Sequence, residues 1–216
     1  MSKRARASSS LTGGTGDTNP QFLTMGATLT GGASSPQQAT RVVPLPINRF
    51  QNASGRSTVI EILKIWFDTQ HELPPANYGA TAIAQATYML ITTSQPPAAI
   101  DEDTYQLLKM SGSTVDYAED AIQIAQGVSG GAPAGEPVVY DNQWKDPIIH
   151  DLTDGAGHGV LVATDQLFFT VGFIATRTLV NNRTAVCRIL YRFKDVSLQE
   201  YIGIVQQQSQ ATFASS

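Results

Sequence analysis

The stretch Thr184-Ala-Val-Cys-Arg-Ile-Leu-Tyr-Arg-Phe-Lys194 alternates between two kinds of side chain in steps of two. One set is apolar and consists of Ala185, Cys187, Ile189, Tyr191 and Phe193. The other set carries the cations and consists of Val186, Arg188, Leu190, Arg192 and Lys194. Because successive side chains of a strand point to opposite faces, this stretch predicts a β-strand with an apolar back and a cationic front.

The preceding segment, Val160 to Ile174, has the same period. Its apolar residues on one side are Leu161, Ala163, Leu167, Phe169, Val171 and Phe173. The polar stretch from Thr176 to Arg183 separates it from the strand above, and we expect the two long strands to form an antiparallel pair. A chain built on such pairs is a sandwich or a barrel.

The rest of the chain adds further strand patterns. Thr58 to Phe67 is rich in β-branched residues and predicts a central strand covered on both sides, with Glu61 and Lys64 on opposite faces. Other predicted strands are an edge strand at Arg41–Ile47, then Ala82–Thr93, Val138–Asp141 and Pro147–Leu152. Asp101 to Leu108 predicts a short helix with carboxylates in its first turn, whereas Asp116 to Gln126 fits a helix or a strand. Six to eight strands without regular helix alternation predict an all-β antiparallel sandwich.

The charge is distributed unevenly along the chain. The formal net charge is -4, but the first 56 residues hold six basic residues against one acid, a net charge of +5. These candidate nucleic-acid-binding residues are Lys3, Arg4, Arg6, Arg41, Arg49 and Arg56. Residues 1–39 read as a flexible, weakly basic arm, residues 40–206 as the folded domain and residues 207–216 as a C-terminal tail. Only 15% of residues are charged, which favours a surface covered by neighbours as much as it favours a secreted-type β-protein.

Catalysis has little support in the sequence. His71, His150 and His158 are far apart and form no metal-binding pattern, and Cys187 falls on the apolar face of its strand. Gly155, Gly157 and Gly159 read as turn positions that need a positive φ, since a strand and not a helix follows them. We therefore expect no enzyme and no catalytic residues. No apolar run reaches the ~18 residues of a membrane span, so we expect no membrane insertion.

Two groups of residues can bind charged partners. Arg188, Arg192 and Lys194 project from one face of a strand, which suits either phosphate backbones or the acids of a neighbouring subunit. Asp151 and Asp154 lie in a turn and are weak candidates for a hard cation such as Ca²⁺, although acids in turns more often cap the turn.

Three segments resemble a known family. They are Asp151–Asp165, Arg188-Ile-Leu-Tyr-Arg-Phe-Lys194 and Leu198-Gln-Glu-Tyr-Ile-Gly-Ile-Val-Gln206, supported by Thr58-Val-Ile-Glu-Ile-Leu-Lys-Ile-Trp-Phe67. Together they resemble the capsid proteins of small circular single-stranded DNA viruses of the circovirus-like group that encodes a replication-associated protein. The coat fold of that group is similar to that of satellite tobacco necrosis virus.

The resemblance implies a single jelly roll of two four-stranded sheets. It also implies sixty copies that self-assemble inside the host cell into a T=1 icosahedral virion around a circular single-stranded DNA genome. The partners are then other copies, the genome and a host-cell receptor, with no cofactor other than a candidate divalent cation at a subunit interface. The chain departs from the family because its arm holds only three basic residues, which would neutralise only part of a genome.

A lectin-like jelly-roll module is the alternative. It would recognise a glycan through loop aromatic residues, for which Tyr78, Tyr140 and Trp144 are the candidates. Such a module would be a monomer or a small oligomer and would have no use for a basic arm.

Overall fold

The computed structural model describes residues 19–31, 37–45, 56–69, 83–124, 146–175 and 182–209. The strand predicted at Val138–Asp141 lies outside these ranges. Within them the elements are β1 (Gln21–Leu29), β2 (Gln37–Pro44), β3 (Arg56–Thr69), β4 (Ile83–Thr92), α1 (Glu102–Lys109), β5 (Thr114–Ile124), β6 (Ile148–Asp151), β7 (Val160–Val162), β8 (Gln166–Ala175), β9 (Arg183–Ser197) and α2 (Leu198–Ser209).

The strands form two antiparallel sheets. Sheet A has the order β1-β9-β3-β6, with β7 also paired to β3, and sheet B has the order β2-β8-β4-β5. Because β6 and β7 pair with successive parts of β3, they share one strand position, which gives each sheet four positions. The chain changes sheet at most connections, and this strand order is that of a jelly roll. The predicted all-β fold with two four-stranded sheets is therefore confirmed.

The core lies between the two sheets. Its largest fully buried side chains come from β3, β4 and β8, among them Phe67, Phe169 and Phe173. The apolar face predicted for β9 is confirmed, since Ala185, Cys187, Ile189 and Tyr191 belong to this core and Phe193 packs against it. The edge position of the strand predicted at Arg41–Ile47 is also confirmed, because β2 lies at the edge of sheet B, but β2 begins earlier, at Gln37, and ends at Pro44.

The predicted pairing of the two long C-terminal strands is wrong. β8 lies in sheet B between β2 and β4, whereas β9 lies in sheet A between β1 and β3. The segment that precedes β8 is a separate strand, β7, and Val162 rather than Leu161 or Ala163 faces the core. Both long strands bury their apolar faces in the same core from opposite sides, so their sequence period looks like that of a hairpin.

The boundary predicted for the N-terminal arm is also wrong. β1 and the first three residues of β2 lie within residues 1–39, and β1 pairs with β9 along its whole length. Met25, Ala27 and Leu29 are buried in the core, whereas the intervening Gly26 and Thr28 are exposed. This alternation is the period of a half-buried strand, and the Gly- and Thr-rich composition around it hides the signal.

A β-bulge at Leu63 changes which way β3 faces. Ile62 pairs with Tyr191 and Lys64 pairs with Leu190, so Leu63 is the extra residue. The core side chains are consequently Ile60 and Ile62 before the bulge and Ile65 and Phe67 after it. Glu61 and Lys64 therefore both point away from the core, and their predicted placement on opposite faces is wrong.

Two helices pack on parts of the outer faces of the sheets. The predicted short helix with carboxylates in its first turn is α1, which has Glu102 and Asp103 there. Its N-cap is Asp101, whose carboxylate accepts a hydrogen bond of 2.8 Å from the Thr104 amide. α1 packs on the outer face of sheet B through a second apolar cluster, Tyr88, Leu90, Ile100, Tyr105 and Leu108. No helix in the described ranges is long and apolar enough to span a membrane.

α2 packs on the outer face of sheet A over Val59, Ala163 and Val196. Near its end, the buried Gln208 accepts a hydrogen bond from the Ala163 amide at 3.1 Å and donates one to the Leu161 carbonyl at 2.7 Å. The predicted C-terminal tail from residue 207 thus begins too early, because residues 207–209 still belong to this helix.

Candidate interaction surfaces

The three cations predicted on the front of β9 do project from the outer face of sheet A, but two of them are already bonded. Arg192 Nε lies 2.5 Å from Glu61 Oε2, and Lys194 Nζ lies 3.1 Å from Glu61 Oε1. The Glu61 side chain is fully buried, and its Oε1 also accepts a hydrogen bond from the Gly159 amide. The acid of this cluster comes from the same chain, on the neighbouring strand β3.

The Glu61 carboxylate stays charged in this position. Burial raises its pKa, but the hydrogen bonds from Arg192, Lys194 and the Gly159 amide outweigh burial, so its pKa lies below the usual value. The cluster of these three side chains therefore carries one net positive charge instead of two. Arg192 also donates to the Gly157 carbonyl at 3.2 Å, which ties the turn before β7 to β9.

The sequence does mark Glu61, because it is the one acid in the mostly apolar stretch Thr58–Phe67. What the sequence does not show is its register. Glu61 stands directly opposite Arg192 in the β3–β9 pair, and this pairing depends on the position of the bulge at Leu63.

Arg188 has a different environment. Its guanidinium lies 3.9 Å from the centroid of the Phe22 ring, and Phe22 in turn contacts Trp66 with ring centroids 5.9 Å apart. Neighbouring strands place Ile149, Val186 and Leu190 beside these residues on the same outer face of sheet A. We call the group Phe22, Trp66, Ile149, Val186, Arg188 and Leu190 the aromatic patch.

The other basic candidates are not gathered at the aromatic patch. Arg41 is exposed on β2 at the edge of the opposite sheet, and Arg56 begins β3 opposite Ser197. Lys3, Arg4, Arg6 and Arg49 lie outside the described residues. Arg183, which borders the start of β9, is buried: it donates to Thr87 Oγ1 at 2.6 Å and stacks on Phe173.

The two candidate metal ligands take part in the turn that follows β6. Asp151 Oδ1 accepts from the amide and the hydroxyl of Thr153, and its Oδ2 lies 3.4 Å from Lys64 Nζ. Asp154 Oδ1 accepts from the Ala156 and His158 amides, and its Oδ2 lies 3.0 Å from His158 Nδ1. These hydrogen bonds lower the pKa of Asp154 to about 2.

The same turn explains its glycines. Gly155 and Gly157 have φ angles of 80° and 89°, as predicted for turn positions. The positive φ predicted for Gly159 is wrong, because among the described glycines only Gly155 and Gly157 have one. Gly159 is required for another reason, since a Cβ there would lie 2.0 Å from the Ile62 carbonyl oxygen at the bulge. Across the described residues, no group of three or more His, Cys, Asp or Glu side chains is placed to hold a metal ion.

One further ionisable pair links the two sheets. His150 on β6 approaches Asp116 on β5, with Nδ1 2.9 Å from Oδ2. Burial raises the pKa of Asp116, partly offset by His150. Burial also raises the pKa of the Cys187 thiol, which has no exposed surface. The segment Asp116–Gln126, whose sequence fits a helix or a strand, belongs to strand β5 as far as Ile124. Its first residue, Asp116, is the partner of His150.

No protein-family model and no curated protein matches the sequence significantly. Among solved structures, the VP1 protein of Trichodysplasia spinulosa-associated polyomavirus in complex with GM1 oligosaccharide is 12% identical, with a TM-score of 0.45 over 87% of this chain and 96% of that chain. The unassembled VP1 pentamer of KI polyomavirus is 11% identical, with a TM-score of 0.46 over 82% of this chain and 95% of that chain. At these sequence identities and TM-scores, neither structure assigns a function to this chain.

Proposed function

We propose that the chain is a viral capsid subunit that works by self-assembly, without catalysis, and that its place of action is the virion. The observation that carries this proposal is the distribution of exposed apolar side chains over several separate surfaces. Phe22 and Ile149 are each 54% exposed on sheet A, and Leu107 and Met110 are 61% and 90% exposed at α1. Leu198 and Ile202 are half exposed on α2.

A protein that binds a single small ligand needs one such surface, whereas a shell subunit needs several because it has several neighbours. The low charged fraction of 15% fits the same role. The segments that resemble coat proteins of circovirus-like viruses support the finer form of the proposal: sixty copies in a T=1 shell around a circular single-stranded DNA genome.

The basic residues Lys3, Arg4 and Arg6 are the proposed contact to that genome. Arg192 and Lys194 together offer the genome one net positive charge instead of two, because Glu61 neutralises the other. Any Ca²⁺ at a subunit interface would need ligands from more than one subunit, since the Asp151 and Asp154 oxygens already accept hydrogen bonds within their own turn.

The triple variant K3Q/R4Q/R6Q tests the role in nucleic-acid packaging. We expect particles of unchanged mass in which the nucleic-acid content, measured by the 260/280 nm absorbance ratio, falls by more than half. K109Q is the control, because it removes a positive charge from α1, at a residue outside the candidate nucleic-acid-binding set. Unchanged nucleic-acid content in the triple variant would contradict the proposed role of these residues.

The oligomeric state and the glycan binding of the purified chain test the lectin-like alternative. Its candidate residues Tyr78, Tyr140 and Trp144 lie outside the described residues. A chain that stays monomeric and binds glycans would replace the capsid proposal with this one.

A further inference from the structure

The aromatic patch is a part of the outer face of sheet A that α2 does not cover. α2 covers the outer face of sheet A around Val59 and Val196, but the described part of the chain places no element over Phe22, Trp66 and Arg188. Phe22 and Ile149 remain 54% exposed and Val186 remains 37% exposed. Contiguous aromatic and aliphatic side chains with an arginine are the composition of a protein–protein contact.

The charge of the aromatic patch restricts its partner. Among the described residues, Arg188 has no ion pair, while the nearby Lys64 is bonded to Asp151. Two copies that met through this same patch across a two-fold axis would bring Arg188 towards its own counterpart in an apolar contact, which is unfavourable. The partner surface should therefore be apolar and carry an acid.

The chain itself has such a surface on α1. Asp103, Leu107 and Met110 follow one another at the i, i+4 and i+7 positions, so they lie along one side of the helix. All three are exposed, and Asp103 has no ion pair within the described ranges. We call these three residues the α1 stripe. The buried side of the same helix is formed by Tyr105 and Leu108.

We propose that the α1 stripe of one copy docks on the aromatic patch of a neighbouring copy, with Asp103 facing Arg188 and Leu107 and Met110 packing on the exposed apolar side chains. This inference rests on the proposed capsid function and names two of the surfaces that would join its subunits. The stripe lies on the outer face of sheet B and the patch on the outer face of sheet A, so the two surfaces are on opposite sides of the sandwich. The contact is therefore head-to-tail, and in the proposed shell it closes a ring around a symmetry axis only if the rotation between neighbouring copies divides a full turn.

Charge reversal at the two proposed partners tests the contact. R188E and D103R should each raise the protein concentration at which half of the chain is assembled by about ten-fold or more, because each places like charges opposite each other. The double variant R188E/D103R reverses both charges and should assemble within about three-fold of the wild-type concentration, since coupled residues are non-additive. Sedimentation velocity over a concentration series measures all four proteins.

The matched control is E102R. It makes the same change of charge in the same first turn of α1, but one residue away from the α1 stripe, and should assemble like the wild type. Far-UV circular dichroism and thermal midpoints of all variants show whether a loss of assembly reflects unfolding.

A cross-linking measurement remains decisive if a charge variant folds poorly. With I149C/M110C and a short bis-maleimide, assembled protein should give a ladder of covalently linked dimers and higher oligomers on a denaturing gel. I149C alone and M110C alone should assemble but give only the band of the single, unlinked chain. The native Cys187 is fully buried and does not react in the folded chain.

The outcomes separate this contact from the capsid proposal. Wild-type assembly that neither charge variant weakens, or a double variant as impaired as the worse single variant, would overturn the contact and leave the capsid proposal standing. R188E particles that assemble normally but lose nucleic acid would assign the aromatic patch to the genome instead. A wild-type chain that forms no particle would contradict both proposals.

Discussion

At the scale of single residues, Glu61 connects more of the molecule than any sequence pattern indicates. It is a fully buried carboxylate on β3 that accepts hydrogen bonds from Arg192 and Lys194 on β9 and from Gly159 at the end of the turn before β7. The two cations keep about a quarter of their side chains exposed. Bonded polar side chains therefore occupy the centre of the outer face of sheet A. They separate the apolar contacts of α2 from the aromatic patch.

E61Q should destabilise the chain at neutral pH because it leaves two cations around an uncharged, buried amide. We expect a loss of about 2 kcal/mol in the free energy of unfolding, less than the ~3–5 kcal/mol of a fully buried ion pair, since both cations reach solvent. Chemical denaturation at pH 7 measures this. D151N is the control: it removes the exposed partner of Lys64 and should change stability little.

The same variant should change the response to acid. The pKa of Glu61 is lowered in the fold, so its stabilising contribution is present above the pKa of the unfolded chain and is lost as the pH falls through the folded value. The stability difference between wild type and E61Q should therefore shrink as the pH falls below about 4.5. A difference that is constant from pH 7 to pH 3 would mean that folding does not lower the pKa of Glu61.

At the scale of elements, the sequence predicts strands better than it predicts their partners. The period of two along Thr184–Lys194 correctly indicates which side of β9 is buried, because burial on one face acts on each residue separately. Sheet membership depends on distant segments, and so β8 and β9 looked like a hairpin although they lie in opposite sheets. The faces of Glu61 and Lys64 could not be read either, because one extra residue at Leu63 reverses the alternation.

The same limit applies to the interaction surfaces. Arg188, Arg192 and Lys194 were correctly placed on one face, but their partners come from β1 and β3, more than a hundred residues earlier. The aromatic patch in particular depends on Phe22, which lies in a segment whose composition indicated a flexible arm. Its neighbours Leu23, Met25, Ala27 and Leu29 carried the strand signal.

The close contact between β8, β4 and α1 gives a prediction at this scale. Gly172 stands opposite Tyr88, and a Cβ at Gly172 would lie 1.7 Å from the Tyr88 ring. The Tyr88 ring is buried and stacks on Tyr105, and the Tyr88 hydroxyl donates a hydrogen bond to the Ile100 carbonyl at 3.0 Å. We therefore expect G172A to displace Tyr88 and to destabilise the chain by about 1–3 kcal/mol.

G26A is the matched control for that measurement. Gly26 is also a strand glycine, but a Cβ there would meet its nearest atom at 3.7 Å, an ordinary contact. Because alanine loses less entropy than glycine on folding, G26A should be neutral or slightly stabilising in thermal unfolding. Equal losses in G172A and G26A would show that the Tyr88 contact does not explain the need for glycine.

At the scale of the whole molecule, the described residues expose apolar side chains on several surfaces, as the proposed capsid subunit requires. A single core fills the space between the two sheets, and apolar side chains remain exposed on the outer face of sheet A, along α1 and along α2. Covering them in a closed assembly stabilises both the assembly and the chain, and many individually small contacts add up in a symmetric shell.

The particle mass of the purified full-length chain tests the capsid proposal most directly. Sedimentation velocity or mass photometry should find particles near 1.4 MDa, the mass of about sixty copies of a chain of 23.1 kDa. A raised 260/280 nm absorbance ratio in those particles would show that they contain nucleic acid. A single species near 23 kDa that persists over a range of salt concentration and pH would contradict the proposal.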